Sequence, residues 1–194
     1  GEDGKLLEHA KASLIFDPAQ TSEVGQATIE IDHAIVGRIE IKGNAQVSIT
    51  DSIIDALRPD HLAYAGPVAF SADDATLDSL SLANSTMVGR IHTASLELAS
   101  NTLFFARRSS KGEAPVQVER RQNGCVRYSY VPIGSRVPQR RYNCVPVSEE
   151  DAEVLQLGFT SLRYGDPGYG QLNWRTDSVI MHGADDTAEM GAFH

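Results

Sequence analysis

The chain has 194 residues, 41 % hydrophobic, 22 % charged and only 7 % aromatic, with a net charge of −9. These values describe one folded domain, or one domain with an appendage, whose core rests on Val, Ile, Leu and Ala. No apolar run approaches the ~20 residues of a membrane span and no basic start precedes an apolar stretch, so neither a transmembrane segment nor a signal peptide is expected. A cytoplasmic location is favoured.

Residues 1–12 are charged and are read as a flexible N-terminal segment, followed by a single domain over 13–194. Ala12–Phe16 reads as the first strand and Asp17–Gln26 as a polar loop. Between Ala27 and Ala106 one pattern returns four times: apolar–polar–apolar, a polar turn pair, then an apolar group. It appears as Ile29-Glu30-Ile31 before Asp32-His33, Val47-Ser48-Ile49 before Thr50-Asp51, Leu80-Ser81-Leu82 before Ala83-Asn84, and Leu96-Glu97-Leu98 before Ala99-Ser100. The second apolar positions, Ile31, Ile49, Leu82 and Leu98, lie 18, 33 and 16 residues apart. The outer steps match one coil of a β-solenoid, and the middle step matches a coil with an outward loop, punctuated by Arg58-Pro59 and Gly66-Pro67. Val36-Gly37-Arg38-Ile39 echoes as Val88-Gly89-Arg90-Ile91, 52 residues and about three coils on. One coil cannot bury its apolar face alone, whereas stacked coils bury it continuously. The expected fold is all-β: a single-stranded right-handed parallel β-helix, handed as parallel crossovers usually are. Its regular coils cover 27–106. The turn slots carry His33, Asp51, Asn84 and Ser100, small polar groups that satisfy one another and the turn backbone.

Residues 107–194 are expected to form an irregular, Arg-rich cap over the open sheet end. Val116–Val118 reads as the start of a fifth coil, Cys125–Pro132 as an alternating strand, and Glu149–Asp151 as an acidic loop or helical turn. Phe159–Tyr164 reads as a strand and Leu172–Met181 as a last coil. Between Arg107 and Arg141 nine Arg and Lys face two Glu, a net +7 that leaves −16 on the remainder. Internal compensation and a docking surface for an anionic partner both account for this asymmetry. Arg107, Arg108, Arg120, Arg121, Arg127, Arg140 and Arg141 are the candidate docking residues. A protein partner, self included, is favoured; a glycan is admissible, and nucleic acid is disfavoured beside so acidic a remainder.

Cys125 and Cys144 lie 19 residues apart, about one coil, so they can stack as buried thiols or join as a disulfide. Buried thiols rank ahead of a disulfide, and both rank ahead of zinc, which wants four ligands. The acids Asp32, Asp51, Asp55, Asp73, Asp74 and Asp78 invite comparison with glycoside-cleaving carboxylate pairs, but they mostly occupy turn slots where Asp belongs for backbone reasons. Asp185, Asp186 and Glu189, near His182 and His194, form a possible metal cluster. Their spacing departs from a calcium loop, and a carboxylate-braced turn is preferred. No catalytic residues, metal site or cofactor are assigned.

Several motifs resemble a family of large bacterial proteins with a β-helical region, often encoded beside phage-tail-like or contractile injection genes. They are Ile31-Asp32-His33-Ala34-Ile35-Val36-Gly37, Ile49–Ala56, Glu97–Asn101, Arg120–Tyr128, Pro132–Cys144, Leu162–Pro167, Gly183–Asp186 and Glu189–His194. The resemblance implies a β-helical module that is a fragment of a longer chain, a component or cargo of a tail-like particle, with no catalytic residues to carry over. The expected function is thus a non-enzymatic structural or binding module. A β-helix carbohydrate-active enzyme, lyase or hydrolase, and a glycan-binding adhesin are the alternatives.

Overall fold

The computed structural model describes residues 12–17, 27–67 and 79–194. The expectations for residues 1–11, for 18–26 and for Asp73, Asp74 and Asp78 lie outside the described residues. The path is repetitive. Strands β2 (Ala27–Asp32), β5 (Ala45–Thr50), β8 (Ser79–Ala83), β11 (Ser95–Ser100), β14 (Cys125–Arg127) and β15 (Arg141–Tyr142) form a first sheet. A second sheet holds β3 (Ile35–Val36), β6 (Ile53–Asp55), β9 (Thr86–Val88) and β12 (Leu103–Phe105). The third holds β1 (Leu14–Phe16), β4 (Ile39–Ile41), β7 (Leu62–Ala65), β10 (Arg90–Thr93) and β13 (Val116–Val118). All three ladders are parallel and none closes into a barrel, which fits an all-β parallel solenoid. The chain visits first, second and third sheet in turn, then starts the next rung.

Period-two alternation explains the core. Ile31, Ile49, Leu82, Ala99 and Val126 stack in one inward column, and Val36, Ile54, Met87 and Phe104 in another. Ile39, Tyr64, Ile91 and Val116 line the third wall. Nearly all these side chains are buried and belong to one cluster. Each large aliphatic one contributes about 1.5–3 kcal/mol by leaving water.

Several expectations need correction. The fourth coil slips by one residue: Leu96 pairs with Leu80, but Leu98 pairs with Ser81 and Ala99 with Leu82. A bulge at Glu97 inserts one extra residue, so Ala99, not Leu98, enters the core column. Gly124 lies over the bulge, where a Cβ would clash with the Leu96 carbonyl oxygen, and its φ is +87°. The Val-Gly-Arg-Ile echo spans two coils, since Ile39 and Ile91 flank Tyr64 on either side. Val116–Val118 closes the fourth coil in the third sheet, and the fifth begins at Cys125.

The coils run on beyond Ala106, through β15 to a bridge between Tyr130 and Val145. The strand starting at Cys125 stops at Arg127 because Tyr128 turns the corner at φ +47°. Phe159–Tyr164 forms only isolated bridges, Phe159 to Leu172 and Ser161 to Tyr169. Leu172–Met181 forms no coil and holds the short helix α2 (Ser178–Met181). Helix α1 (Glu149–Val154) fulfils the acidic-turn expectation; Ser148 caps it by accepting from the Asp151 N–H. The C-terminal segment packs against the flank of the stacked strands. It lies along the outer face of the second sheet, where Ile180 and Met190 pack on Leu103, and Leu155, Leu157, Phe159 and Leu172 pack beside Phe105, Tyr130 and Val145. Outward residues of that sheet are apolar enough to need cover. Ile53, beside Gly170, and Leu103, beside Ile180 and Met190, are buried under the segment, whereas Ile35 on the first rung stays 51 % exposed.

Candidate functional site

The corner between the first and second sheets repeats one device. Each turn needs a residue with positive φ, and His33, Asp51, Asn84, Asn101, Tyr128 and Asn143 supply it, all between +45° and +51°. Asn and Asp tolerate this region best among residues with a Cβ. The fourth slot belongs to Asn101 and not to Ser100, the same one-residue slip that the bulge imposes. Each turn N–H donates to the next coil: His33 to the Thr50 carbonyl, Asp51 to Ala83, Asn84 to Ser100, Asn101 to Arg127.

The next residue of each turn points inward and forms a second column. Ser52 Oγ accepts from the Ala34 N–H at 3.0 Å and donates to the Thr50 carbonyl at 2.6 Å. Ser85 Oγ accepts from the Ser52 N–H at 3.3 Å and donates to the Ala83 carbonyl at 2.6 Å. Thr102 and Ser129 repeat the pattern, with Ser129 Oγ accepting from the Thr102 N–H at 3.0 Å. Cys144 is the last rung, its Sγ donating to the Val126 carbonyl at 3.4 Å. Burial pushes the Cys144 thiol up from its ordinary value, away from thiolate chemistry.

Both cysteines are free thiols, and they do not stack. Cys125 pairs with Leu98, whereas the Tyr130–Val145 bridge places Cys144 beside Ser129, four residues along the coil from Cys125. One coil of separation in sequence is not one rung of separation in register.

The outer turn column meets the C-terminal segment at Asn101. Its Nδ2 lies 2.9 Å from Asp185 Oδ1, 3.1 Å from Asn84 Oδ1 and 3.0 Å from His194 Nε2. Its Oδ1 accepts from the Asp185 N–H at 3.2 Å, and its carbonyl accepts from the Gly191 N–H at 2.8 Å. The Asn101 hydrogen bond is the main reason the Asp185 carboxyl is held below the usual carboxylate value. His194 Nε2 also stands 3.2 Å from Asp186. Asp185, Asp186 and His194 therefore converge, with ligand-type atoms within 4.8 Å of one another; Asp32, His33 and Asp51 converge likewise on the first two coils. Glu189 and His182 do not join the first group. Its exposed carboxylates and its tie to Asn101 make it a clasp that holds the segment to the coils.

Of the other acids, Asp55 is buried and accepts from the Tyr169 phenol, 114 residues away, and from the Leu57 N–H at 2.6 Å. Burial, then the Asp55 carboxylate, push the Tyr169 phenol far above its ordinary range. Nothing in the local sequence signals this pair.

The basic residues divide among three corners. Arg107 and Arg108 lie between β12 and β13, with Arg108 Nη1 donating to the Gly112 carbonyl. Arg127 ends β14 and donates from Nε to Ser100 Oγ. Arg120, Arg121, Arg140 and Arg141 share the corner between third and first sheets on the last two coils, where the Gln139 N–H donates to the Arg121 carbonyl. Arg121, Arg140 and Arg141 are exposed there.

No family model, curated protein or solved structure matches the chain. Among the described residues no helix is long and apolar enough to cross a membrane.

Proposed function

We propose that this chain is a right-handed, single-stranded parallel β-helix serving as a non-enzymatic binding module of a larger, tail-like assembly. It docks an acidic protein surface on the corner formed by Arg120, Arg121, Arg140 and Arg141. The observation that carries this reading is the charge polarity along the coils. Exposed Glu30 and Asp32 mark the first rung, and exposed Arg121, Arg140 and Arg141 mark the last two. Such a dipole orients an approaching partner and speeds encounter more than it tightens binding. The engagement of Asp55 with Tyr169, and of Asp32 with His33 at 2.9 Å, favours binding over glycan cleavage, because these acids already brace the fold.

The test compares retention on immobilised poly-glutamate peptide, heparin and double-stranded DNA across a salt series. Poly-glutamate retention is expected to fall with salt and to vanish when Arg120, Arg121, Arg140 and Arg141 are all changed to Glu. Retention indifferent to both salt and charge reversal, or release of sugar from a glycan panel, would overturn the reading.

A further inference from the structure

The inward column of the first sheet runs Ile31, Ile49, Leu82, Ala99, Val126 and then Arg141. Five apolar rungs end in a guanidinium. Arg141 takes the inward register position opposite Val126, and on this last described rung its side chain is exposed. Its strand is two residues long and lies between Pro138 and Pro146. Short strands, flanking prolines and inward-pointing charges are the devices that keep a sheet edge from pairing with another chain.

The opposite end supplies what such an edge would pair with. Among the described residues β2 has a neighbour on one side only, and it presents Glu30, Ile31 and Asp32. Extending the observed register by one rung sets Arg140 of one copy beside Glu30 of the next, Arg141 beside Ile31, and Val145 beside Ile35. Two of these three matches are favourable: opposite charges on the outer face, and a valine over an isoleucine that is 51 % exposed. The third would strip water from a guanidinium and set it over an aliphatic side chain with no carboxylate to meet it.

We propose that the two ends of the solenoid form a latent head-to-tail association surface for a second copy of this chain, held shut by Arg141. The contact is heterologous, so once open it propagates instead of closing into a dimer. The lock operates whether or not the basic corner docks an acidic protein.

The experiment is sedimentation velocity of the 194-residue chain across micromolar concentrations, with a thermal melt of each variant. Wild type and Arg141→Lys are expected at single-chain mass throughout. Arg141→Val is expected to shift with concentration to dimers and longer species. Adding Arg140→Glu, which faces Glu30 with like charge, should weaken that association by about tenfold or more. Arg141→Thr, neutral and β-branched, replaces valine if valine expresses poorly, with the same expectation. A folded, single-chain Arg141→Val or Arg141→Thr overturns the proposal. So does association of Arg141→Lys or of wild type itself.

Discussion

Replacing Asn101 by alanine tests the joint between the coils and the C-terminal segment. Asn101 is 5 % exposed and holds φ at +51°. A Cβ without a side-chain amide loses about 1–2 kcal/mol in that conformation. The same substitution removes the 2.9 Å bond to the Asp185 carboxylate and leaves the Asp185 N–H without its 3.2 Å acceptor. A charged hydrogen bond is worth about 1.5–3 kcal/mol, but Asp185 is 40 % exposed and water replaces part of it. The expected loss is thus about 3 kcal/mol for Asn101→Ala, and about 1 kcal/mol less for Asn101→Gly, which keeps the turn but not the amide.

Urea unfolding followed by far-UV circular dichroism measures both values, and hydrogen exchange over residues 183–194 reports release of the segment. The pH dependence has a definite sign. A carboxyl held below its ordinary value of 3.8 stabilises the fold above that value, and the contribution is lost as pH falls through the lower folded value. Asn101→Ala should remove the Asp185 share of that acid limb. If alanine and glycine variants both stay within about 0.5 kcal/mol of wild type, the joint is energetically idle. If they lose stability equally, the turn argument fails.

Two further substitutions probe the interior. Ser85→Ala deletes a buried hydroxyl that bridges two coils and strands the Ser52 N–H, so a loss of about 1–3 kcal/mol is expected in the same urea titration; no loss would mean the inner column is not a cohesive element. Tyr169→Phe takes the phenol from a buried carboxylate and should cost about 1.5–3 kcal/mol at neutral pH. Because the folded phenol titrates above its ordinary 10.0, its contribution is complete below pH 10 and declines as pH rises further, so the variant should show a shallower alkaline loss; an unchanged slope would count against the buried pair.

The alternation at Ile29–Ile31 and Val47–Ile49, with His33 and Asp51 in the turns, was sufficient to point to parallel strands in register, which fits a solenoid. Inward apolar columns and positive-φ corners are local demands, and each residue declares whether it can meet them. The slip at Glu97 was hidden because a bulge depends on the partner strand, and Gly124, which lies over it, comes 27 residues later. The arginines were visible as a cluster in sequence, yet only the rung assignment separates Arg107 and Arg108 from Arg140 and Arg141.

By itself the sequence determined the repeating strand, the aliphatic core and the small polar turns, since period-two patterning and backbone preference act within one coil. Tertiary structure decided where the C-terminal segment lies, which acids are buried, and that Arg141 ends an apolar column. Those outcomes depend on register and on contacts between residues up to 114 positions apart, which no local pattern encodes.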